Sequence, residues 1–405
     1  MAIVYNIAYT TKKECVYMEK NVYLDHAATT YVKKEVLDEM MPFFTQSFGN
    51  PSSIYKLGQE NKRAVDLAKE RIANAIGATP NEIYFTAGGC EADNWVIKGI
   101  AFANMNKGNH IITTSIEHPA IINSCKFLEK HGFEVTLLGV DENGQVRLDE
   151  LENAIKDNTI LISVMFANNE IGTIQPIKKI AEIAKKHNVY FHTDAVQAVG
   201  SLRVDVKDLG VDMLSMSGHK FYGPKGIGAL YIKKGTKIDS LIHGGGQEQG
   251  KRAGTENVPA IVGMGKAIEL AYENFDETTN RIIELREKLI NGVLSTIPHV
   301  RLNGHRKERL PGNTNFSFSF IEGESLLLML NMKGVAGSSG SACSSGSLDP
   351  SHVLLAIGLD HGTAHGSLRL TLGAETTEED IDYVLGILPG IVEKLREMSP
   401  LKPEN

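Results

Sequence analysis

Short apolar runs alternate with amphipathic segments over the first two-thirds of the chain, and this alternation limits the fold more than any other feature. Some runs, such as ILISVMF (160–166), are continuously apolar, as expected for strands covered on both faces. Seven runs predict β-strands: Glu82–Thr86, His110–Thr114, Glu134–Leu138, Ile160–Met165, Val189–Thr193, Asp212–Met216 and Gly228–Ile232. Four segments between them predict helices: Glu60–Ile76, Glu91–Asn104, Pro119–His131 and Ile177–His187. The pattern predicts an α/β fold with a mostly parallel sheet.

The pattern changes after Val258, where a long helix that could kink is predicted over Val258–Ser295. Beyond it, Asn313–Phe320 alternates like a half-buried strand, residues 323–334 read as a helix with a glycine stop, and Glu378–Met398 predicts a final helix. We therefore expect a large domain at 33–265 and a smaller α+β domain at 266–405. Residues 18–32 are expected to pack with the small domain, and residues 1–17 form an extension of no assigned role.

Composition excludes some classes of function. The chain has 405 residues, 42% hydrophobic and 22% charged, and a net charge of −7 with both signs interspersed. Such a surface does not favour direct binding of nucleic acid, and no apolar run approaches the roughly 20 residues that span a membrane. Four dispersed cysteines without a CxxC predict no disulfide framework and no metal site. We expect a cytoplasmic protein.

Three segments carry candidate chemistry. In FTAGGCEADN (85–94) a strand ends in glycines where a helix begins, so free backbone N–H groups could bind a phosphate. HTDAVQAVG (192–200) places Asp194 at the end of an apolar strand. SMSGHKFYGPKG (215–226) places Lys220 directly after another, where burial would make its amine a nucleophile toward aldehydes. Taken singly, an ordinary turn and a helix cap explain the first two segments better. A lysine at such a turn is usually a surface charge, but the surroundings of Lys220 favour a desolvated amine.

Together, and in this order, the three segments resemble the aspartate-aminotransferase-like enzymes of fold type I, which use pyridoxal 5'-phosphate. The resemblance implies that Lys220 holds the cofactor covalently. It also implies that Asp194 pairs with the ring nitrogen. Gln197, three residues on and expected on the same helical face, would reach the ring's phenolic oxygen.

The resemblance narrows to the cysteine desulfurases of the NifS/IscS branch and covers nearly all of the chain after Met18. The matching motifs are YLDHAATT (23–30), FGNPSS (48–53), EHPA (117–120), NNEIG (168–172), SGHKFYGPKG (217–226), HGGGQEQGKRAGTEN (243–257), SGSACSSGSLDPS (339–351) and AHGSLRLTLG (364–373).

This resemblance implies further roles. His118 would stack on the cofactor ring and could move protons, while Asn169 and Arg369 would hold the substrate carboxylate. Cys343 would accept the sulfur. Thr255 would reach the phosphate of the neighbouring subunit, which implies a homodimer. Four residues would surround the phosphate: Gly89, Cys90, Ser217 and His219.

Each role has a simpler alternative. His118 could be a capped loop histidine, Arg369 a surface charge and Cys343 an inert small residue, although its glycine- and serine-rich surroundings suggest exposure. Cys90 stands where the family usually has threonine, and a thiol donates hydrogen bonds poorly. Cys125 lies on an amphipathic helix and is given no role.

The predicted activity removes sulfur from L-cysteine, giving L-alanine and a persulfide on Cys343. An acceptor protein such as an iron–sulfur cluster scaffold would then take the sulfur. Alternatives are selenocysteine cleavage, transamination or another reaction on the same cofactor. A non-enzymatic sulfur or metal carrier on a degenerate fold is a further alternative, although Lys220, Asp194, Gln197 and Arg369 are all present.

Overall fold

The computed structural model describes residues 21–339 and 350–400. In these residues the strands are β1 Val22–Tyr23, β2 Ile83–Thr86, β3 His110–Thr114, β4 Glu134–Leu138, β5 Thr159–Ser163, β6 Tyr190–Asp194, β7 Met213–Ser217, β8 Gly228–Ile232, β9 Val300–Leu302, β10 Asn313–Phe318, β11 Val335–Ala336 and β12 Ser367–Thr371. The α-helices are α1 Lys34–Met40, α2 Pro42–Thr45, α3 Lys56–Ile76, α4 Gly89–Ala103, α5 Pro119–Glu129, α6 Leu148–Ala154, α7 Ile177–Lys186, α8 Val206–Leu209, α9 Val258–Glu273, α10 Phe275–Thr296, α11 Gly323–Met332, α12 His352–Ala356, α13 His361–His365 and α14 Glu378–Met398. Three 3₁₀ helices are Pro80–Glu82, Gly218–Lys220 and Glu248–Gly250.

The main sheet has the strand order β2-β8-β7-β6-β5-β3-β4. Strands β7, β6, β5, β3 and β4 run parallel, and β8 is antiparallel to both β7 and β2. Parallel strands are joined by helices that cover both faces of a sheet. The α/β fold with a mostly parallel sheet, predicted from the sequence, is confirmed.

Adjacent residues of the central strands enter two different hydrophobic cores. Ile112 and Leu214 pack into a core with helices α3 and α9, while Ile111 and Met213 pack into another with α4 and α5. Since side chains alternate between the faces of a strand, both faces must be apolar when both are covered. This explains the continuously apolar runs in the sequence.

A second sheet, of order β12-β10-β9, is antiparallel. It shares a separate hydrophobic core with helices α10, α11 and α14, and β1 pairs in parallel with β11 beside it. The proposed domain limits stay a prediction. None of the helices in the described ranges has the length and apolar character that crossing a membrane requires.

The prediction of a half-buried strand over Asn313–Phe320 is wrong. Strand β10 is buried at every residue, because its polar face is covered as well: the Asn303 amide donates to Asn315 Oδ1 and to Ser317 Oγ, each at 2.8 Å. The long helix predicted over Val258–Ser295, for which the sequence allowed a kink, is divided into α9 and α10 at Asn274, whose φ of −119° and ψ of 43° depart from helical values.

Candidate active site

A cavity of about 320 Å³ lies at the carboxyl ends of β5, β6 and β7, the end of a parallel sheet where α/β proteins bind ligands. Ten of the residues to which the sequence assigns a role line it: Gly89, Cys90, His118, Asn169, Asp194, Gln197, Ser217, His219, Lys220 and Arg369. The fold therefore brings together side chains that are as much as 280 positions apart in the chain, the separation of Gly89 and Arg369.

Lys220 ends the 3₁₀ turn that follows β7 directly. Its Nζ atom donates to the carbonyl oxygens of Ala27 at 2.5 Å and Ala28 at 2.9 Å. These carbonyls belong to the segment after β1, so the chain's beginning holds the amine at the cavity wall. The alternative of a fully solvated surface lysine does not describe this residue.

Asp194 is the last residue of β6 and is buried, with Oδ1 accepting a hydrogen bond from the Val196 backbone N–H at 2.9 Å. Burial raises the pKa of Asp194, while His118 and Lys220 oppose that shift. Beneath it, burial and the Asp194 carboxylate raise the pKa of Asp93 well above its usual range. Because charged carboxylates are costly in such surroundings, a cation placed against Asp194 from the cavity would be strongly favoured.

His118 serves both as a helix cap and as a wall of the cavity. Its Nδ1 atom accepts from the Ala120 backbone N–H at 3.1 Å at the start of α5. Burial lowers the pKa of His118, and the Asp194 carboxylate opposes this. The imidazole can therefore face a flat aromatic ring without a permanent charge.

The glycine turn at the start of α4, which the sequence predicts to bind phosphate, is shaped by Gly88 and Gly89. Gly88 has a φ of 152° and Gly89 has no room for a side chain, because a Cβ atom there would lie 2.6 Å from Val196 Cγ2. The first turn of a helix presents N–H groups that lack helical partners and attract anions. Ser217, at the end of β7, and Cys90 line the same end of the cavity.

His219 also lies at this end, where its Nδ1 atom is 3.1 Å from Thr29 Oγ1. Burial, followed by the charges of Lys220 and Lys225, lowers the pKa of His219 to about 4. It is therefore a neutral hydrogen-bonding group near neutral pH and supplies no fixed positive charge.

Arg369 lines the cavity from β12 of the second sheet and is only 1% exposed. Its Nη1 atom donates to the Asn169 carbonyl oxygen at 3.0 Å, and Nη2 donates to Asp25 Oδ1 at 2.9 Å. The surface-charge alternative is wrong for Arg369, because the fold buries this guanidinium against two acceptors.

Three of the predicted site residues stand apart from the others: Gln197, Thr255 and Cys343. Gln197 lies in a turn that does not continue into a helix, so its predicted helical face is wrong: the chain leaves the turn at Gly200, whose φ is 81°. Thr255 lines a different pocket of its own chain, with Arg252 and Asn257. Cys343 lies outside the described residues.

The residues present fit pyridoxal phosphate. A phosphate matches the glycine turn at the start of α4, a protonated ring nitrogen matches the buried Asp194, and an aldehyde matches the amine of Lys220. No group of His, Cys, Asp and Glu side chains suited to holding a metal ion occurs within the described ranges.

Sequence reasoning missed some residues at the site. Asp25 and Glu117 lie inside matched motifs but received no role, and Asp93 follows the phosphate turn. Glu117 is buried; its Oε1 accepts from Thr114 Oγ1 at 2.8 Å and from Met165 N–H at 2.9 Å, and burial raises its pKa to about 8. The signal for Asp93 is a carboxylate on a helix that is otherwise apolar over much of its length, DNWVIKGIAFA (93–103).

Residues 22–384 match the family described as aminotransferase class V. Curated relatives include the cysteine desulfurase IscS of Clostridium botulinum strain Hall, 64% identical over 95% of this chain and 97% of the relative, and that of Methanosarcina thermophila, 61% identical over 95% of each. Among solved structures, a NifS-like protein is 40% identical, with a TM-score of 0.88 over 93% of this chain and all of that one. SspA, solved in complex with cysteine, is also 40% identical, with a TM-score of 0.78 over 88% of this chain and all of that one.

The chain belongs to the class-V aminotransferase family, whose enzymes depend on pyridoxal phosphate. Within that family it is of the NifS/IscS cysteine desulfurase type, as the sequence resemblance predicted. The predicted enzyme class, a pyridoxal-phosphate-dependent cysteine desulfurase, and the predicted fold are thereby confirmed.

Proposed function

We propose that different residues of the cavity bind the cofactor, bind the substrate and transfer protons in the desulfurase reaction. The observation that carries this proposal is the convergence of Lys220, Asp194, His118 and Arg369 on one cavity. The cofactor, when bound, supplies an electron sink that stabilises negative charge on the substrate carbon next to it. The protein must supply anchoring, orientation and proton transfer.

At the cofactor end, Asp194 would hold the ring nitrogen in its protonated form through its buried carboxylate. Gly89 and Ser217 would bind the phosphate together with the backbone of the α4 start, and Cys90, His219 and Gln197 would complete the contacts. His118 would lie against the ring. The Lys220 amine, released from the cofactor when substrate arrives, would take the α-proton of cysteine and would later supply the proton that returns to the α-carbon of alanine.

At the substrate end, Asn169 and Arg369 would bind the α-carboxylate of L-cysteine. SspA, a relative of known structure, is solved in complex with cysteine, which supports cysteine as the ligand here. A buried guanidinium recognises a carboxylate with geometric specificity, so Arg369 favours amino acids over simple amines.

Cys343 would accept the sulfur. Its thiolate forms a bond to the substrate Sγ while the substrate Cβ–Sγ bond breaks, and the electron pair of that bond stays with the carbon. Protonation of the carbon then gives L-alanine, and the enzyme retains a persulfide. Among the cysteines in the described ranges, Cys125 is a poor substitute, because burial raises its pKa to about 12.

Two partners follow from this proposal. A sulfur-acceptor protein, such as an iron–sulfur scaffold, would take the persulfide sulfur. A second copy of the chain would supply Thr255. The segment around FGNPSS supports a protein interface, because Phe48 is 70% exposed and Ile54 is 94% exposed, and exposed apolar side chains mark interaction surfaces.

The function is tested by incubating the purified protein with L-cysteine and measuring alanine and sulfide, with and without a reducing thiol. We expect equimolar alanine and sulfide with the thiol. Without it we expect one persulfide per chain, located on the Cys343 peptide by mass spectrometry. Pyruvate in place of alanine, or alanine without modified Cys343, would contradict the proposal.

A further inference from the structure

The guanidinium of Arg369 already has a carboxylate partner within the protein. Asp25 Oδ1 accepts from Arg369 Nη2 at 2.9 Å, and the two side chains are 19% and 1% exposed, respectively. The Asn169 carbonyl accepts from Nη1. Nε is buried, with no hydrogen-bond acceptor among the residues that the structure describes.

The position of Asp25 is fixed by the backbone around it. Asp25 forms a parallel bridge with Thr371, which lies two residues after Arg369 on β12. His26 Nδ1 donates to the Thr371 carbonyl and Ala27 N–H donates to Thr371 Oγ1, both at 2.9 Å. The backbone therefore fixes the geometry of this ion pair. Ion pairs between two flexible side chains on a surface lack such support.

This ion pair affects how Arg369 can bind a ligand. A guanidinium binds a carboxylate most tightly in a bidentate arrangement with two parallel N–H donors. Nε and one Nη atom form one such pair of donors. Asp25 occupies Nη2, while Nε lacks an acceptor. An incoming α-carboxylate therefore meets a guanidinium whose charge is already neutralised, and it must compete with Asp25 for donors.

We propose that Asp25 is a positioning residue that acts as a resident counter-carboxylate: it holds Arg369 in place between turnovers and weakens its grip on the α-carboxylate of substrate and product. This inference rests on the proposed role of Arg369. When the ligand leaves, Asp25 restores the neutral pair. A buried guanidinium without any partner would be strongly destabilising.

The test is Asp25→Asn in the holoenzyme, with L-alanine as the probe. Removing the competing negative charge should tighten alanine binding by about tenfold, measured by calorimetry. The same change should lower the melting temperature of the alanine-free protein, because the buried guanidinium loses its counter-charge. Saturating alanine should then raise that temperature more than it does in the unmodified enzyme. The KM for cysteine should fall together with kcat, because alanine leaves more slowly.

A merely structural role for Asp25 would lower the melting temperature without tightening alanine binding, and that result would overturn the inference. Asp25→Glu, which keeps the charge, should not bind alanine more tightly, and tighter binding by it would also count against the inference. If Asp25→Asn does not fold, Asp25→Ser should show the same tighter alanine binding and the same lower melting temperature without alanine. Its failure to bind alanine more tightly would equally overturn the inference. Asp276→Asn, which removes an exposed partner of Arg203, is the matched control.

Arg369→Ala separates this inference from the proposed function. If alanine affinity does not depend on Arg369, the substrate role of that residue fails, and the inference fails with it. If Arg369→Ala weakens alanine binding but Asp25→Asn does not strengthen it, the inference on Asp25 fails alone.

Discussion

The two ends of the cavity are assembled differently. The proposed cofactor end comes from the carboxyl ends of three strands of one sheet: the α4 start follows β2, Asp194 ends β6 and Lys220 follows β7. The substrate end joins the loop after β5 to β12 of the other sheet and to the segment after β1, and the Asp25–Arg369 contact spans 344 positions. We therefore expect substitutions at the substrate end to leave cofactor binding largely intact.

The largest expected effect is at the cofactor end. Lys220→Ala should lose turnover by at least about a thousandfold, because the change would remove both the proposed covalent anchor and the proposed proton-transfer group. Borohydride reduction of the unmodified enzyme followed by peptide mapping should find the cofactor on Lys220. The matched control is Lys225→Ala, whose Nζ donates only to the Thr30 carbonyl among the hydrogen bonds described. A label on Lys225 or Lys233 would refute the assignment.

Cys343→Ala should separate cofactor binding from sulfur transfer. We expect the yellow colour and the spectral change upon addition of cysteine to persist, while alanine release falls by at least about a hundredfold. Activity toward selenocysteine should survive better, since a selenolate leaves without help from a thiol. Cys125→Ala is the control and should keep its turnover. Near-normal desulfuration by Cys343→Ala would instead favour a lyase or a transaminase.

A smaller effect is expected from Thr255→Ala. If Thr255 donates one hydrogen bond to the phosphate of a partner's site, its loss should weaken cofactor affinity by about tenfold without changing the unfolding of the chain. Cofactor titration of the apo-protein measures this directly.

A mixture with Lys220→Ala tests whether the sites are shared. A heterodimer of the two variants should contain one site free of both lesions and one carrying both, so half of its sites should bind cofactor tightly and react. One lesion in every site, or a fully active monomer by sedimentation, would rule out sharing.

The sequence could predict the cofactor end better than the substrate end, because the two ends are assembled from different kinds of segments. Lys220, Asp194 and Gly89 each lie where an apolar run ends, and strand ends meet at one edge of a parallel sheet, so local patterns indicated their convergence. The partnership of Asp25 with Arg369 could not be predicted, because no local pattern links a residue after a two-residue strand to a strand of another sheet.

The wrong prediction of a half-buried strand over Asn313–Phe320 has the same cause. Asn313–Phe320 alternates between apolar and polar residues, which normally indicates one solvated face. The polar face is nevertheless buried, because Asn313 and Asn315 both donate at 3.1 Å to the Glu170 carbonyl in the loop that supplies Asn169. Tertiary contacts of this kind are invisible to periodicity.

The smallest effect concerns pH and Glu117, which packs at the cofactor end. The raised pKa of about 8 means that the folded chain binds this proton more tightly than the unfolded chain. The stabilisation is fully present below the ordinary glutamate pKa and is lost as pH rises toward 8. The melting temperature of Glu117→Gln should therefore fall less steeply between about pH 5 and 8 than that of the unmodified protein.

Scanning calorimetry at several pH values provides the measurement. Glu134→Gln is the control, because Glu134 is exposed, pairs with Lys156 and has a lowered pKa, so its own titration lies below this window. An identical slope in the Glu117 and Glu134 variants would contradict a buried proton on Glu117.

The pairing of β1 with β11, and of Asp25 with Arg369, also has a consequence during synthesis. The segment that carries Asp25 leaves the ribosome well before its partners on β11 and β12. At roughly 5–20 residues per second, the 344 positions between Asp25 and Arg369 take on the order of 20–70 s to translate. A nascent chain can therefore form the sheet that carries Asp194 and Lys220 during that interval, but it cannot form the Asp25–Arg369 ion pair until Arg369 has emerged.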